Sequence, residues 1–134
     1  GYNEEEQKMV EETRKIFGLP KLRMVPTCVR VPVPRAHSEA VVARFLKPIS
    51  REAAKRALEG AAGVRLVDEP KKNLFPMPSH ASGELDVFVG RVREVEGDPH
   101  SIAFFVSGDQ LLKGAAWNAA QIAEELAKRG GLPA

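Results

Sequence analysis

Three groupings of side chains along this chain have the types and spacing for chemistry. His37 is the first. A histidine titrates near neutrality, so it can take a proton from one group and return it to another. The plainer reading is a surface histidine at the end of a strand, capping its own turn. Arg30 is the second. It stands in the apolar run TCVRVPV, where an unpaired guanidinium would be expensive, and its planar fork suits bidentate capture of a carboxylate. An intramolecular ion pair, or a strand face open to water, would satisfy it equally. Arg35, two residues before His37, competes for the same assignment. Glu5 and Lys8 are the third. Three apart on a helix, they project from one side, which is also what a solvated ion pair worth about 0.2–0.5 kcal/mol would do. Glu4, four residues before Lys8, leaves the register of that pair open. Cys28 lies nine residues before His37. Such a pair can form a nucleophile and base, but most lone cysteines are packing residues, and Cys28 is read as inert.

These residues need elements to hold them. Asn3 can cap a helix whose first turn, Glu4 to Glu6, suits the positive end of the dipole. Met9, Val10, Thr13, Ile16 and Phe17 fall on one face, Gly18 is a natural C-cap and Pro20 stops continuation. The β-branched run Leu22 to Val33 reads as a strand with Pro26 and Pro32 at irregular positions or edges. A second strand is expected over Ser38–Leu46, then a helix from Ser50 through Leu58 and a short strand over Val64–Val67. Asn73 to Gly83 reads as a long loop. Strands over Leu85–Val95 and Ser101–Ser107 follow, then a closing helix with Ala115, Ala119, Ile122, Ala123 and Leu126 on one face. Lys128 and Arg129 suit its negative end, and Gly130–Gly131 terminate it. The expected fold class is α+β, a mixed β-sheet with helices packed on one face.

Composition narrows the function. A chain of 134 residues fits one domain. Its 20 basic and 18 acidic side chains leave a charge of +2, which gives no electrostatic argument for nucleic acid or an anionic membrane. No apolar run approaches membrane-spanning length, and the acidic opening GYNEEEQKMV is unlike a signal peptide. With one cysteine there is no internal disulfide and no cysteine-based zinc cluster; no metal site is expected. A soluble cytoplasmic protein is the plain reading. The missing initiator Met, and an opening within a residue of a helix-like stretch, fit a piece of something longer.

The segment CVRVPVPRAHSEA, Cys28 to Ala40, resembles the arginine-to-histidine active-site segment of aspartate-semialdehyde dehydrogenases. EEEQKMVEETRKIFG (Glu4–Gly18) is similar to that family's helix carrying a Glu and a Lys. FPMPSHASGELDVFVGRVR (Phe75–Arg93) resembles its loop-and-strand signature, and SGDQLLKGAAWNAAQIAEEL (Ser107–Leu126) its carboxy-terminal end. The blocks arrive in family order and span nearly the whole chain. The resemblance implies a two-domain enzyme, of which residues 1–113 would be the substrate-binding and dimerisation domain. Residues 114–134 would be a terminal helix that packs on a nucleotide-binding domain. No glycine-rich phosphate loop for that domain is present here.

The resemblance also implies roles. His37 becomes the acid/base, beside a cysteine outside this chain. Arg30, seven positions before it, takes the substrate α-carboxylate. Glu5 takes the substrate ammonium, and Lys8 the phosphate or the substrate carboxylate. Gln110 falls near the nicotinamide carboxamide of NADP, and Asn118 also belongs to the cofactor end. For both, helix capping or surface hydrogen bonding is the alternative. The implied reaction interconverts β-aspartyl phosphate and aspartate β-semialdehyde, in the biosynthesis of lysine, threonine and methionine, within a homodimer. Three rivals stand beside it: a related acyl-phosphate reductase such as one acting on N-acetylglutamyl phosphate, a non-catalytic dimerisation module, and an independent small domain binding anionic metabolites.

Overall fold

A computed structural model describes residues 1–131 and divides into two compact units, Gly1–Pro32 and Val33–Ala134. In the first, α1 (Glu4–Phe17) starts at a reciprocal capping box. The Glu6 amide donates to Asn3 Oδ1 at 2.9 Å, and the Asn3 amide donates to Glu6 Oε2 at 3.0 Å. Both satisfy donors that the first helical turn leaves orphaned. Gly18, at φ 63°, closes the helix in the left-handed conformation that favours glycine.

The strand expected over Leu22–Val33 does not form; no residue of that run is in a strand. Prolines at 26 and 32 lack the N–H a ladder needs, and Val25, Val29 and Val31 are 83, 75 and 59% exposed. β-Branched composition favours extension but supplies no pairing partner. The run is instead tied to α1 by side chains. Arg14 Nε donates to the Leu22 carbonyl at 3.0 Å, and the Cys28 amide donates to Glu6 Oε1 at 2.9 Å. The Cys28 thiol lies 3.4 Å from Met9 Sδ.

The second unit holds β1 (His37–Arg44), α2 (Arg51–Glu59), β2 (Val64–Leu66), a 3-10 turn (Pro70–Lys72), α3 (Pro78–Ala81), β3 (Val87–Val95), β4 (Asp98–Gly108) and α4 (Ala116–Lys128). The sheet runs β1-β4-β3-β2. β4 is antiparallel to both neighbours, whereas β2 and β3 are parallel. This is the expected α+β class with a mixed sheet. Ser50 caps α2 through its hydroxyl, which accepts from the Ala53 amide at 3.2 Å. That helix buries Ala54 against Val92 and Ile102, with Ile49, Leu58, Leu66 and Phe104 packed around them. Phe88 pairs with Ser107, an odd number of residues along β4 from Ile102, so it points to the opposite face. There Ala81 of α3 and Ala36 cover it. The sequence read α3 as loop, because a single turn carries no periodicity.

Two local features shape β3. Its pairing with β4 slips between Gly90 and Arg93, with Arg91 at φ 53°. Asp68 holds this bulge. Its Oδ1 accepts from the Arg91 amide at 2.9 Å, while Lys55 Nζ lies 3.1 Å from Oδ2. At Gly90 a Cβ would fall 2.0 Å from the Val67 carbonyl oxygen and 2.6 Å from Pro76 Cδ, so that position admits only hydrogen. In α4 no residue is buried, and Ile122 and Leu126 are 53 and 43% exposed. Among the described residues no helix is long and apolar enough to cross a membrane.

Candidate functional site

His37 is the first residue of β1 and sits opposite Gly108, the last residue of β4. Its side chain is exposed, and among the described residues its imidazole makes no hydrogen bond. The backbone around it is held closely. The buried Ser107 hydroxyl donates to the His37 carbonyl at 3.2 Å and accepts from the Ser38 hydroxyl at 3.1 Å. Ala36, 3% exposed, has φ 75°. That left-handed conformation costs a residue with a Cβ about 1–2 kcal/mol, and it persists only where the surroundings impose it. Part of that imposition is visible, because the Ala36 amide donates to Gln110 Oε1 at 3.0 Å.

The residue before Ala36 is fixed as well. Arg35 Nε lies 2.7 Å from Asp109 Oδ2. The Asp109 carboxylate is completely buried. It accepts from the Gly83 amide at 2.7 Å on Oδ2, and from the Leu111 amide at 3.0 Å on Oδ1. Burial alone would raise its pKa. The Gly83 N–H, the Arg35 guanidinium and the Leu111 N–H outweigh burial and hold the carboxyl below its ordinary value of 3.8, so it stays ionised. Four consecutive residues at the end of β4, Ser107 to Gln110, therefore grip the stretch Arg35–Ser38.

Gln110 uses its oxygen on Ala36, whereas its amide nitrogen has no partner among the described residues. Asn118 lies half-buried in the first turn of α4, without a side-chain hydrogen bond among the described residues. Both present the donors a carboxamide would need. Of the other histidines, both expected in loops, His80 is in α3 and His100 is in β4, its Nδ1 3.2 Å from the Phe45 carbonyl.

The remaining candidates belong to the first unit. Lys8 Nζ donates to Glu5 Oε1 at 3.0 Å, both side chains being at least half exposed. The Glu5 carboxylate beside it holds the Lys8 ammonium above its ordinary pKa. Of the three glutamates, Glu6 is buried, with both carboxylate oxygens committed to backbone amides, and Glu5 pairs with Lys8. Those amides, Cys28 first and then Asn3, hold Glu6 below its ordinary pKa. Arg30 is exposed and makes no ion pair among the described residues. The expectation that it sits in a strand fails with the strand itself. Arg35, its competitor, is engaged by Asp109. Sequence reasoning missed Asp109 and Ser107. An Asp two residues before an amide it accepts is a local signal, but its partner Arg35 is far away in sequence.

Residues 1–113 match the family described as semialdehyde dehydrogenase, dimerisation domain, and the chain belongs to that family. Its relatives carry a more particular name. The aspartate-semialdehyde dehydrogenase of Synechocystis is 54% identical over 131 residues, covering 98% of this chain and 39% of that protein. The Bacillus subtilis protein of the same name is 46% identical over 129 residues, 96% of this chain and 37% of the relative. The crystal structure of aspartate semialdehyde dehydrogenase II from Vibrio cholerae, complexed with ASA, superposes with a TM-score of 0.87 at 43% identity. The match covers 96% of this chain and 38% of that one. This chain spans less than two-fifths of the length of these relatives.

Proposed function

We propose that this chain is the carboxy-terminal, substrate-binding and dimer-forming part of a cytoplasmic aspartate-semialdehyde dehydrogenase. The observation that carries this reading is the 54% identity, along 98% of the chain, to a protein named for that activity. The reaction interconverts β-aspartyl phosphate and aspartate β-semialdehyde. A cysteine of the nucleotide-binding domain attacks the acyl phosphate, phosphate leaves, and the resulting thioester is reduced, so that covalent catalysis divides one hard step into easier ones. NADPH, when bound, supplies the reducing electrons. His37 takes the thiol proton and returns one to the departing oxygen. Its exposed imidazole on a gripped backbone supports that role. Arg30, exposed and unpaired among the described residues, takes the α-carboxylate. Glu5 takes the substrate ammonium and Lys8 steadies phosphate. The exposed Glu5–Lys8 pair would open to receive them, Glu5 turning to the ammonium and Lys8 to the phosphate. Gln110 would offer its amide N–H to the nicotinamide carboxamide, its oxygen being taken by the Ala36 amide, and Asn118 would offer a second amide.

The test is phosphate-dependent NADP reduction by the full-length protein with aspartate semialdehyde. His37→Ala is expected to lower kcat about 10²–10⁴-fold. Full-length protein without phosphate-dependent turnover would sink the reading. The 134-residue chain alone, lacking nucleophile and cofactor domain, is expected to be inactive. Glu5→Gln tells the substrate class: unchanged kinetics would point to a substrate whose amine is blocked, such as N-acetylglutamyl phosphate. The family description as a dimerisation domain supports a homodimer. Sedimentation showing only monomer at high concentration would count against this.

A further inference from the structure

We propose that Asp109 is a positioning residue for His37: through Arg35 it holds the turn that enters β1 in the left-handed form at Ala36, and so sets where the imidazole begins. The inference rests on the catalytic reading of His37 given above. An alanine at φ 75° is intrinsically disfavoured, and Ala36 is buried with Phe88 and Ala81. Left to itself the residue would relax to an ordinary right-handed or extended conformation, and that rotation would swing the chain that carries His37.

Three restraints oppose relaxation. The Ala36 amide is held by Gln110 Oε1 at 3.0 Å on one side. The His37 carbonyl is held by Ser107 at 3.2 Å on the other. The Arg35 side chain is held 2.7 Å from the buried Asp109 carboxylate. The last reaches furthest from β1, because Asp109 is itself anchored by the Gly83 and Leu111 amides. Gly83 follows α3, whose Ala81 packs in the same small core as Ala36. The carboxylate therefore references the turn before His37 to α3 and to the turn after β4. A misplacement of about 1 Å in a catalytic group can cost 10²-fold in rate, so such a reference has functional value beyond stability.

The experiment is kinetic and uses the full-length enzyme. Asp109→Asn is expected to lower kcat roughly ten- to a hundredfold, with KM changed much less. The decisive variant adds Ala36→Gly. Glycine adopts φ 75° without penalty, so the double variant should recover most of the lost kcat although the thermal midpoint stays low. A purely structural role for Asp109 would not be rescued by a glycine at 36. Should Asp109→Asn fail to fold, Arg35→Gln cuts the same tether from the partly exposed end, with the same loss and the same rescue expected. Unchanged kcat in the single variant, or a loss that Ala36→Gly does not repair, would overturn the inference. His37→Ala is run beside them. Full activity there would overturn both the catalytic reading and this inference. An inactive His37→Ala with Asp109→Asn at wild-type kcat would overturn the inference alone.

Discussion

Asp98 and Asp109 stand at opposite ends of β4, one as its first residue and the other just past its last. Each accepts two hydrogen bonds and meets one arginine. Asp98 takes the Ser101 hydroxyl at 2.8 Å and the His100 amide at 3.1 Å, and Arg44 Nε lies 3.3 Å away. Its carboxylate is 31% exposed and Arg44 is 66% exposed. Asp109 is fully buried, and two of its partners, Arg35 and Gly83, come from distant parts of the chain. The first carboxylate shapes a local turn whose alternative is water. The second joins three segments, and its alternative is an unsatisfied buried charge. Similar inventories of contacts therefore predict very different consequences.

Thermal denaturation of single variants puts that contrast to the test. The largest effect is expected for Asp109→Ala, which strands the Gly83 and Leu111 amides and the Arg35 guanidinium. A fall in Tm of about 10 °C or more is expected. Asp98→Ala leaves partners that water can reach and should lower Tm by only a few degrees, roughly 2–4 °C. Equal losses would abolish the distinction between local and cross-fold carboxylates.

The pH dependence comes next in size. Both carboxyls are held below their ordinary value of 3.8. For Asp98 the causes are the Ser101 hydroxyl first, then the His100 amide; for Asp109 they are the bonds that outweigh its burial. A depressed pKa means that the folded state binds the proton less readily than the unfolded chain. The contribution of each is complete above the unfolded value and is lost as pH falls through the folded one. The Tm gap between wild type and either variant should stay constant above about pH 5 and close as pH drops below 3.8. A gap that widened in acid would contradict the assignment. The smallest effect is expected for Arg44→Ala. It should cost no more than about 1 kcal/mol and vanish in about 1 M salt, where screening acts over about 3 Å.

The sequence disclosed what rests on local rules. The Asn3 cap, the Gly18 stop, the Ser50 cap, the apolar alternation of β3 and the apolar run of β4 were all readable, since each depends on neighbours within a turn or a pleat. The run Leu22–Val33 misled because its composition favours a strand while nothing among the described residues pairs with it. The candidate residues His37, Arg30, Glu5 and Lys8 rest on type, spacing and resemblance, which are all within reach of the sequence. Asp109 was passed over, although Gln110 beside it was singled out. Its value comes from burial and from Arg35, which sequence spacing does not reveal. The left-handed Ala36 was equally invisible, because alanine gives no hint of that conformation.

The close approach at Gly90 has a genetic consequence. Glycine is the one residue without a Cβ, so every missense change at that codon places a carbon against the Val67 carbonyl and the Pro76 ring. A neighbouring exposed position such as Arg93 can drift by single-base steps, but this one can change only silently. In a saturation library of the full-length protein, codon 90 should return glycine almost alone.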